Sequence, residues 1–365
     1  MTHYSTYPGV LQFEISSVCN AQCPGCVRTV LDYTSPTDNI TIENLKVKSH
    51  PDIPKNMYMS LDIFKSVFNE RTLKELKNVE FIGTIDDPLA HPEFLDMLRF
   101  LVDTLNEETM IVIHTNASLR TPDVFREMAA ILTHHKHRVC FNIDGLADTN
   151  HLYRRNTNFD KIIENAKAFI EYHRRSWATW QYLVFPWNAH QVEAAEELSK
   201  ELGFKEFVHR NDRALSDRSF EKIVNEQNKK TEYKKYLKVF DSKAAASPIS
   251  CVMQPRSMYF INYEGTVWPC CFLNNMKYSK MGKYEESWER FENNYEGGWN
   301  NLHHYTINEI LDHPFYTEDL VDSWSSTTHG TGCKDRILKC TATCTKKQLE
   351  IIPMSDHKKV MWTSS

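Results

Sequence analysis

Hydrophobic positions divide the first two hundred residues into short β-rich runs that alternate with helical patterns. Such alternation is typical of βα units, whose strands pair in parallel. The pattern predicts six strands, at residues 10–15, 79–83, 110–114, 138–143, 179–185 and 206–209. Six strands that are each followed by a helix make a partial (β/α)6 TIM-like barrel, and an open doubly wound sheet is the alternative. In either fold, ligands bind at the carboxyl ends of the strands.

Two helices carry clear boundary signals. In the first, Thr121 suits the N-cap and Pro122 the first helical position. The second runs from about Asn188, and Gly203 suits the left-handed residue that ends it. Residues 34–58 break the alternation, with three prolines among polar residues, and are predicted to form an insertion before a helix near Ser60. His190 and Gln191 are expected to be solvated helix residues rather than ligands.

A lysine-rich stretch separates this part from the rest of the chain. Residues 219–243 contain seven Lys and four acidic residues, and an alanine-rich run follows them. The stretch predicts a solvated helix and linker, with a basic binding surface as the alternative. We therefore expect a barrel at 1–215, a helical linker at 216–249 and a small domain at 250–365 that contains a β-hairpin, helices and most of the cysteines.

Composition narrows the class of protein. The 43 Lys and Arg residues are outnumbered by 48 Asp and Glu, for a formal charge of -5, which argues against a nucleic-acid partner. No apolar run approaches the roughly 20 residues that a membrane span needs, and the N-terminus lacks the features of a signal peptide. We therefore expect a cytoplasmic protein with no membrane partner.

Ten cysteines are the main chemical feature of this chain. Without a secretion signal, so many thiols are expected to bind metal or take part in catalysis rather than form disulfides. The 11 glycines, by contrast, do not form a G-x-G-x-x-G or a P-loop motif, so neither common nucleotide-binding motif is present.

Three cysteines, Cys19, Cys23 and Cys26, follow directly on the first predicted strand. Cys23 and Cys26 alone would fit a thioredoxin-like redox pair, half of a structural zinc site, or a chance grouping. A redox pair has no use for Cys19, and zinc would need a fourth ligand from elsewhere. Three thiolates on one loop can instead hold three irons of a cubane cluster and leave the fourth iron open.

This C-x3-C-x2-C spacing after a first β-strand resembles the signature of the radical S-adenosylmethionine (SAM) superfamily, although Gly25 stands where most members have an aromatic residue. The resemblance implies that Cys19, Cys23 and Cys26 hold a [4Fe-4S] cluster whose open iron binds SAM. It further implies reductive cleavage of SAM to a 5′-deoxyadenosyl radical, which abstracts a hydrogen atom from a substrate carbon.

Residues 83–94 resemble the family's glycine-glycine-glutamate-proline segment, with Asp87 in place of the glutamate and Ile85 and Asp86 in place of the glycines. In the family, backbone groups of this segment bind the ammonium group of SAM. The alternative is a strand end that Pro88 terminates and that the two acids cap.

Three more stretches match the family at strand ends. Residues 114–117 resemble its threonine-asparagine-glycine motif, 138–145 its serine-x-aspartate-glycine motif, and 153–159 the stretch whose arginine reaches the SAM carboxylate. Arg154 is the better match for that arginine, and both it and Arg155 have a surface position as the alternative. The resemblance therefore implies SAM contacts, by backbone or side chain, from Asp86, Asp87, Asn116, Asn142 and Arg154.

Alternation along the strand at 138–143 adds two candidate catalytic residues, Cys140 and Asp144. Their side chains share with Asn142 the face that points into the barrel, while Val139, Phe141 and Ile143 face the helices. Cys140 would act as a hydrogen-atom donor or acceptor, and the alternative is a small buried residue that fills space.

The last third of the chain resembles SPASM and twitch extensions, which carry auxiliary iron-sulfur clusters. Cys251 and Cys270 flank a predicted hairpin at Gly265. Two full clusters need about eight thiolates and six cysteines are available, so we expect one auxiliary [4Fe-4S] cluster. Its ligands would be Cys251, Cys270 and two of Cys333, Cys340 and Cys344, with the pair Cys340 and Cys344 favoured by its spacing. Cys271 is a spare thiol or a ligand, and a structural zinc is the alternative.

The resemblance implies a peptide or protein substrate, with a sugar or other small metabolite as the alternative, and an electron donor such as flavodoxin or ferredoxin. The roughly ten residues before the first strand are too few for a leader-peptide recognition domain, which weakens the peptide hypothesis. Two hypotheses from other classes are a zinc-stabilised, non-catalytic interaction protein and a thiol oxidoreductase that uses Cys23 and Cys26.

Overall fold

The structure is a computed structural model that describes residues 4–32, 41–172, 177–211, 248–278, 285–327 and 331–344. Two compact units are present. The barrel unit takes its described residues from Phe13–Leu61 and Lys77–Leu237, and the C-terminal unit takes them from Met1–Gln12, Asp62–Leu76 and Lys238–Ser365. Residues 212–247, which include the lysine-rich stretch 219–243 and nearly all of the predicted linker, lie outside the described residues.

Eight strands of the described chain lie in the barrel unit or lead into it. They are β1 (Val10–Phe13), β2 (Thr29–Leu31), β3 (Val47–Ser49), β4 (Asn78–Phe81), β5 (Met110–Thr115), β6 (Arg138–Asn142), β7 (Trp177–Val184) and β8 (Glu206–Asn211).

Five of these strands, β4 to β8, pair in parallel and in the order of the sequence. The amide of Ile82 donates to the carbonyl of Phe13 (3.4 Å), so the end of β1 lies beside the end of β4. A doubly wound sheet would reverse its strand order at a switch point, whereas a TIM-like barrel keeps the order of the sequence. The prediction of a partial (β/α)6 barrel is therefore confirmed, and each of the six predicted strands has a counterpart.

Seven α-helices precede β8 in the described chain: α1 (Leu61–Ser66), α2 (Glu70–Leu73), α3 (Phe94–Thr104), α4 (Pro122–Ile131), α5 (Asn150–Tyr153), α6 (Phe159–Tyr172) and α7 (Val192–Glu201). Helix α2 and nearly all of α1 belong to the C-terminal unit, and the other five belong to the barrel unit. The longer ones bury one side; in α3 the buried residues are Phe94, Met97, Leu98 and Leu101, which follow helical spacing. None of the helices in the described ranges is long and apolar enough to cross a membrane.

The outer face of β6 shows how strands and helices pack. Phe141 is fully buried, and its ring lies 6.1 Å from that of Phe125 in α4, 5.9 Å from Phe169 in α6 and 5.5 Å from Phe204, measured between ring centres. Val139 and Ile143 are equally buried. The predicted division of this strand into a helix-facing and a barrel-facing side thus agrees with the packing.

The insertion after the first cysteines contains structure that the sequence pattern did not predict. Strands β2 and β3 pair antiparallel, with Val30 opposite Lys48. The guanidinium of Arg155 donates to the carbonyls of Leu45 (2.5 Å) and Ile42 (2.6 Å) and so fastens the insertion to the barrel. Residues 33–40 of the insertion lie outside the described part.

The C-terminal unit contains the predicted hairpin, formed by β9 (Met258–Ile261) and β10 (Val267–Trp268) with Gly265 in the turn. Short helices follow at α8 (Cys271–Asn274), α9 (Glu285–Asn294), α10 (Ile307–Leu311), α11 (Leu320–Ser325) and α12 (Leu338–Cys344). Aromatic rings fill the space beside the hairpin: Trp268 lies 5.2 Å from Phe291 between ring centres, and Trp299 lies 5.0 Å from Phe315.

Candidate active site

A cavity at the carboxyl ends of the barrel strands brings together all eight residues predicted to bind SAM and its cluster. It is open to solvent, and the space between its lining atoms, open solvent included, is about 400 Å³. Its wall is formed by Cys19, Ala21, Cys23, Cys26, Arg28, Gly83, Thr84, Ile85, Asp86, Asp87, His114, Thr115, Asn116, Asn142 and Arg154.

Each of the three cysteine sulfurs in this wall has its own hydrogen-bond donor. Asn116 Nδ2 donates to Cys19 Sγ (3.6 Å), and the backbone amide of Arg28 donates to Cys26 Sγ (3.4 Å). The guanidinium of Arg154 donates to Cys23. Burial raises the pKa of all three thiols, that of Cys23 to about 12. The backbone amide of Ala21 at Cys19, the guanidinium of Arg154 at Cys23 and the amide of Arg28 at Cys26 act in the opposite direction.

Arg154 is also paired with Asp144. Its Nε donates to Asp144 Oδ2 (2.5 Å), while Asp144 Oδ1 accepts from the backbone amide of Leu183 (2.7 Å). Asp144 is fully buried, and burial raises its pKa although the neighbouring Arg154 lowers it. Asp144 therefore acts on the cavity through Arg154 and is not itself among the described residues of the cavity wall.

Asp87 links the end of β4 to the end of β5. Its carboxylate accepts hydrogen bonds from the backbone amides of Leu89 (3.1 Å) and Asn116 (2.8 Å) and from the hydroxyl of Thr115 (3.0 Å). The bond to Leu89 caps the short 3-10 helix Pro88–Ala90. The capping acid that the sequence left as an alternative is thus present, and Asp87 lines the cavity as well.

Asp86 joins β4 to β1 in a similar way. Its Oδ2 accepts from the backbone amides of Ile15 and Ser16 (both 3.0 Å), and Glu14 in return accepts from the amide of Ile85 (3.1 Å). Burial and the nearby Glu14 raise the pKa of Asp86 well above its usual range. The Oδ1 atom of Asp86 is buried and has no hydrogen-bond partner among the described residues, which suits a donor group on a ligand.

The interior of the barrel is polar where the cavity meets it. His114 and Asn142 both line the cavity, and the His114 ring hydrogen-bonds to Asn142 and Gln181. Burial lowers the pKa of His114 to about 4, and Glu80 acts against this, so the imidazole is neutral at pH 7. A neutral imidazole beside two amides can both donate and accept hydrogen bonds.

Two strand-end glycines have backbone positions that other residues would not tolerate. Gly83 has φ of 59°, and a Cβ there would lie 2.9 Å from the carbonyl oxygen of Asp86. At Gly145, with φ of 148°, a Cβ would lie 2.7 Å from the amide nitrogen of Asn150. Both glycines let the chain turn tightly at the cavity side of the barrel.

Cys140 lies in the middle of β6, two residues before Asn142, which lines the cavity. It is 4% exposed and packs with Met110 and Val112, and it is not among the described residues that line the cavity. Burial raises its pKa to about 12, so the thiol keeps its hydrogen. This position favours the space-filling alternative, and the catalytic role of Cys140 stays a prediction.

Gln191 differs from its expectation. It is 7% exposed, and its side chain accepts from the amide of Leu146 (3.0 Å) and donates to Asp148 (2.8 Å). The prediction of a solvated residue was wrong because it read residue 191 as part of a surface helix, whereas the side chain fills the loop after β6. His190 beside it is exposed, as expected.

The cysteines of the C-terminal unit separate into a group and an outlier. The group has four members, Cys251, Cys270, Cys340 and Cys344. Each of them interacts electrostatically with the other three, and Cys251 hydrogen-bonds to Cys344. Cys333 instead contacts Asn294 Oδ1 (3.4 Å), and its carbonyl accepts from the buried Arg290. Cys271 lies next to Cys270 in the chain and interacts with it.

Neither set of cysteines has the arrangement of a single-ion site. In the described chain, no three His, Cys, Asp or Glu side chains are placed to hold one metal ion. A cubane cluster binds each cysteine through a different iron, so its thiolates lie farther apart than the ligands of one zinc ion. The residues present therefore fit a three-cysteine cluster in the barrel unit and a four-cysteine cluster in the C-terminal unit.

Comparison with known families decides the assignment. The family model described as "Radical SAM superfamily" matches residues 13–198, just over half of the chain. The chain belongs to the radical SAM superfamily. A second model, described as "Iron-sulfur cluster-binding domain" (SPASM), matches residues 251–345. The radical SAM domain implies SAM and a [4Fe-4S] cluster, and the SPASM domain implies auxiliary iron-sulfur binding.

Solved structures share the fold of this chain at low sequence identity. Streptococcus suis SuiB bound to precursor peptide SuiA is 14% identical, with a TM-score of 0.51 over 88% of this chain and 68% of that one. The protein anSMEcpe with bound AdoMet gives 18% identity and a TM-score of 0.46 over 84% and 78%. Streptococcus suis SuiB bound to S-adenosylmethionine gives 13% identity and a TM-score of 0.45 over 73% of this chain. The chain spans 61% of the length of that protein. No curated protein sequence matches the chain.

Three residues of the site were missed at the sequence level. Arg28 lines the cavity and bonds to the carbonyls of Ser17 and Ile85. Glu14 is a lone acid in an otherwise largely apolar strand run, and His114 occupies an inward position of β5. A charged or polar residue within a buried strand is the signal that would have identified the last two.

Proposed function

We propose that the protein is a radical SAM enzyme that cleaves SAM reductively and abstracts a hydrogen atom from a substrate carbon. The observation that carries the proposal is the cavity in which three cysteine thiols, each with its own hydrogen-bond donor, meet polar groups at four strand ends. When bound, the cluster would supply the electron that cleaves SAM. An external donor of the flavodoxin or ferredoxin type would reduce it.

The chain's own residues would hold SAM beside that cluster. Cys19, Cys23 and Cys26 would ligate three irons. Arg154 has a guanidinium suited to a carboxylate, and Asn116 and Asn142 offer amides to the ribose or adenine. Backbone groups at Asp86 and Asp87 would face the ammonium group, since the carboxylate of Asp87 and Oδ2 of Asp86 already bond to neighbouring strand ends. Asp86 Oδ1, which has no partner among the described residues, would be a further acceptor.

The substrate in this proposal is a peptide or protein. SuiB, which shares the fold, has been solved with its precursor peptide, and the inner barrel positions His114, Asn142 and Gln181 present donors and acceptors that suit a peptide backbone or polar side chain. A sugar or other small polar metabolite fits the same groups, and it is the second candidate. Asp144 contributes by orienting Arg154, and Cys140 would donate a hydrogen atom only if substrate reaches it.

Iron analysis and product detection test the reaction. Protein purified without oxygen should be brown and contain about eight iron and eight sulfide per chain, and with SAM and a reductant it should release 5′-deoxyadenosine. Cys19→Ala should abolish release, whereas Cys333→Ala, a matched loss of a thiol outside both cysteine groups, should retain it. Release by Cys19→Ala equal to the parent would contradict the proposal and favour the thiol oxidoreductase.

Substrate class is tested separately. The enzyme would be supplied with two mixtures, one of deuterated peptides and one of deuterated sugars. Deuterium should appear in 5′-deoxyadenosine only with the mixture that contains a substrate, because the proposed radical abstracts hydrogen from the substrate carbon. We expect transfer from the peptide mixture, and transfer from the sugar mixture alone would replace the peptide with the second candidate.

A further inference from the structure

Arg154 occupies an unusual position because its guanidinium meets a cluster cysteine and a buried acid together. It hydrogen-bonds to Cys23 and pairs with Asp144 at 2.5 Å. We propose that Arg154, through its hydrogen bond to the Cys23 sulfur, raises the reduction potential of the SAM-binding cluster, and that Asp144 is the positioning residue that holds it there. The proposal rests on the cluster of the proposed function but concerns a separate property of it.

Hydrogen bonds to cluster sulfurs are one of the means by which a protein sets a cluster's potential. Reduction adds negative charge to the cluster, so a positively charged donor at a sulfur stabilises the reduced state. The other two donors are weaker in this respect, since Cys19 receives a neutral amide of Asn116 and Cys26 a backbone amide. Removing the charged donor should therefore change the potential most.

Burial keeps this charge effective. The side chain of Asp144 is 0% exposed and that of Arg154 is 16% exposed, so water screens the pair weakly. Burial lowers the pKa of Arg154, the carboxylate of Asp144 raises it above its usual value, and an arginine guanidinium is in any case not deprotonated in proteins. The guanidinium thus stays charged.

The surrounding backbone fixes the geometry of the pair. Asn150 Oδ1 accepts from the amide of Asp144 (2.9 Å), and the carbonyl of Asn150 accepts from the amide of Arg154 (2.8 Å). Asn188 Nδ2 donates to the carbonyl of Asp144 (2.8 Å). One asparagine therefore connects the backbone of both partners, and the ion pair forms without a large rearrangement of either.

Redox titration of the full-length, anaerobically reconstituted protein tests the proposal. Electron paramagnetic resonance would follow the SAM-binding cluster. In a separate sample, the signal of this cluster is identified as the one that changes when SAM is added. The titration itself would be run without SAM, so that contacts to the SAM carboxylate play no part. For Arg154→Gln we expect at least a tenfold fall in the equilibrium constant for one-electron reduction. This corresponds to a reduction potential that is about 59 mV more negative.

Arg155→Gln is the matched control, because it removes the same charge from the next residue while its guanidinium bonds to the carbonyls of Leu45 and Ile42. A potential for Arg154→Gln equal to that of Arg155→Gln would overturn the proposal. Asp144→Asn weakens the ion pair that holds the guanidinium at Cys23, so the potential should move in the same direction as in Arg154→Gln. A less negative potential, which is expected if Asp144 acted only through its own negative charge, would overturn the assigned role of Asp144.

Two further outcomes have defined meanings. If Arg154→Gln does not assemble the cluster, Arg154→Met decides, since methionine has neither a charge nor an N–H donor; its potential should also fall, and an unchanged value would overturn the proposal. Absence of cluster iron in the parent protein would instead remove the proposed function itself. An assembled cluster with an unmoved potential refutes only the role of Arg154.

Discussion

Truncation of Asp87 tests whether the capping acid at the end of β4 holds the site together. Asp87→Ala removes a carboxylate that is 3% exposed and that accepts from two backbone amides and a hydroxyl. The donors it leaves belong to Leu89, Thr115 and Asn116, which are themselves 1–3% exposed and therefore have little access to water.

The magnitude follows from these donors. A buried donor that loses its acceptor costs about 1–3 kcal/mol, so two stranded amides cost about 2–6 kcal/mol. The Thr115 hydroxyl can rotate toward another acceptor and adds little. Burial raises the pKa of Asp87, which means that the carboxylate itself is partly destabilised, and its removal offsets some of the loss. We expect a net loss of about 3 kcal/mol in the free energy of unfolding.

Urea unfolding of the cluster-free protein, followed by circular dichroism under anaerobic conditions, measures this loss. Asp123→Ala is the matched control, because Asp123 lies at the start of α4 with an 88% exposed side chain and pairs with Arg126; it should change stability by less than about 0.5 kcal/mol. A loss below about 1 kcal/mol for Asp87→Ala, with an unchanged dependence on urea, would refute the reasoning.

Other variants test the cysteine assignment and the packing of the barrel. Cys340→Ala should lose about four iron and four sulfide per chain because it removes a ligand of the auxiliary group, whereas Cys333→Ala should retain about eight of each; equal losses in metal analysis would contradict the grouping. Phe141→Ala should destabilise the barrel unit by about 3–5 kcal/mol, because its ring is fully buried against three others, and urea unfolding showing a loss under about 1 kcal/mol would contradict that packing.

The parts of the fold that the sequence predicted are those with a strong periodic signal. All six barrel strands have counterparts because each is a short β-rich run bounded by turn signals. The hairpin β2–β3 was missed because prolines and polar residues obscure three-residue strands, whose pairing depends on contacts such as the Arg155 bonds to Leu45 and Ile42.

The candidate site was predictable in its residues but less so in its contacts. The spacing of Cys19, Cys23 and Cys26 and the strand-end motifs selected groups that line one cavity. What each side chain bonds to could not be derived, because a carboxylate at a strand end has several amides within reach and the neighbouring strand decides among them. Asp144 illustrates this, since its partners are Leu183 on the next strand and Arg154 ten residues on.

Residues 85–87 differ from the family's glycine-glycine-glutamate motif, and the hydrogen bonds of the two aspartates explain the difference. Where the family has two glycines and a glutamate, this chain has Ile85, Asp86 and Asp87. Ile85 is 1% exposed, and Asp86 and Asp87 use their carboxylates to join β4 to β1 and to β5. An aspartate is one methylene shorter than a glutamate, so its oxygens stay close to the backbone and reach the amides of adjacent strand ends.

With these acids engaged, the cavity wall also contains the amides of Asn116 and Asn142, the imidazole of His114, and the guanidinium groups of Arg28 and Arg154. Arg28 already donates to two backbone carbonyls, so a bound anion or zwitterion would find its charged partner in Arg154, which Asp144 neutralises in part. Competition between Cys23 and a SAM carboxylate for the same guanidinium follows from this arrangement. SAM binding should then weaken the hydrogen bond to Cys23, and the shift of potential caused by Arg154→Gln should be smaller with SAM bound than without it.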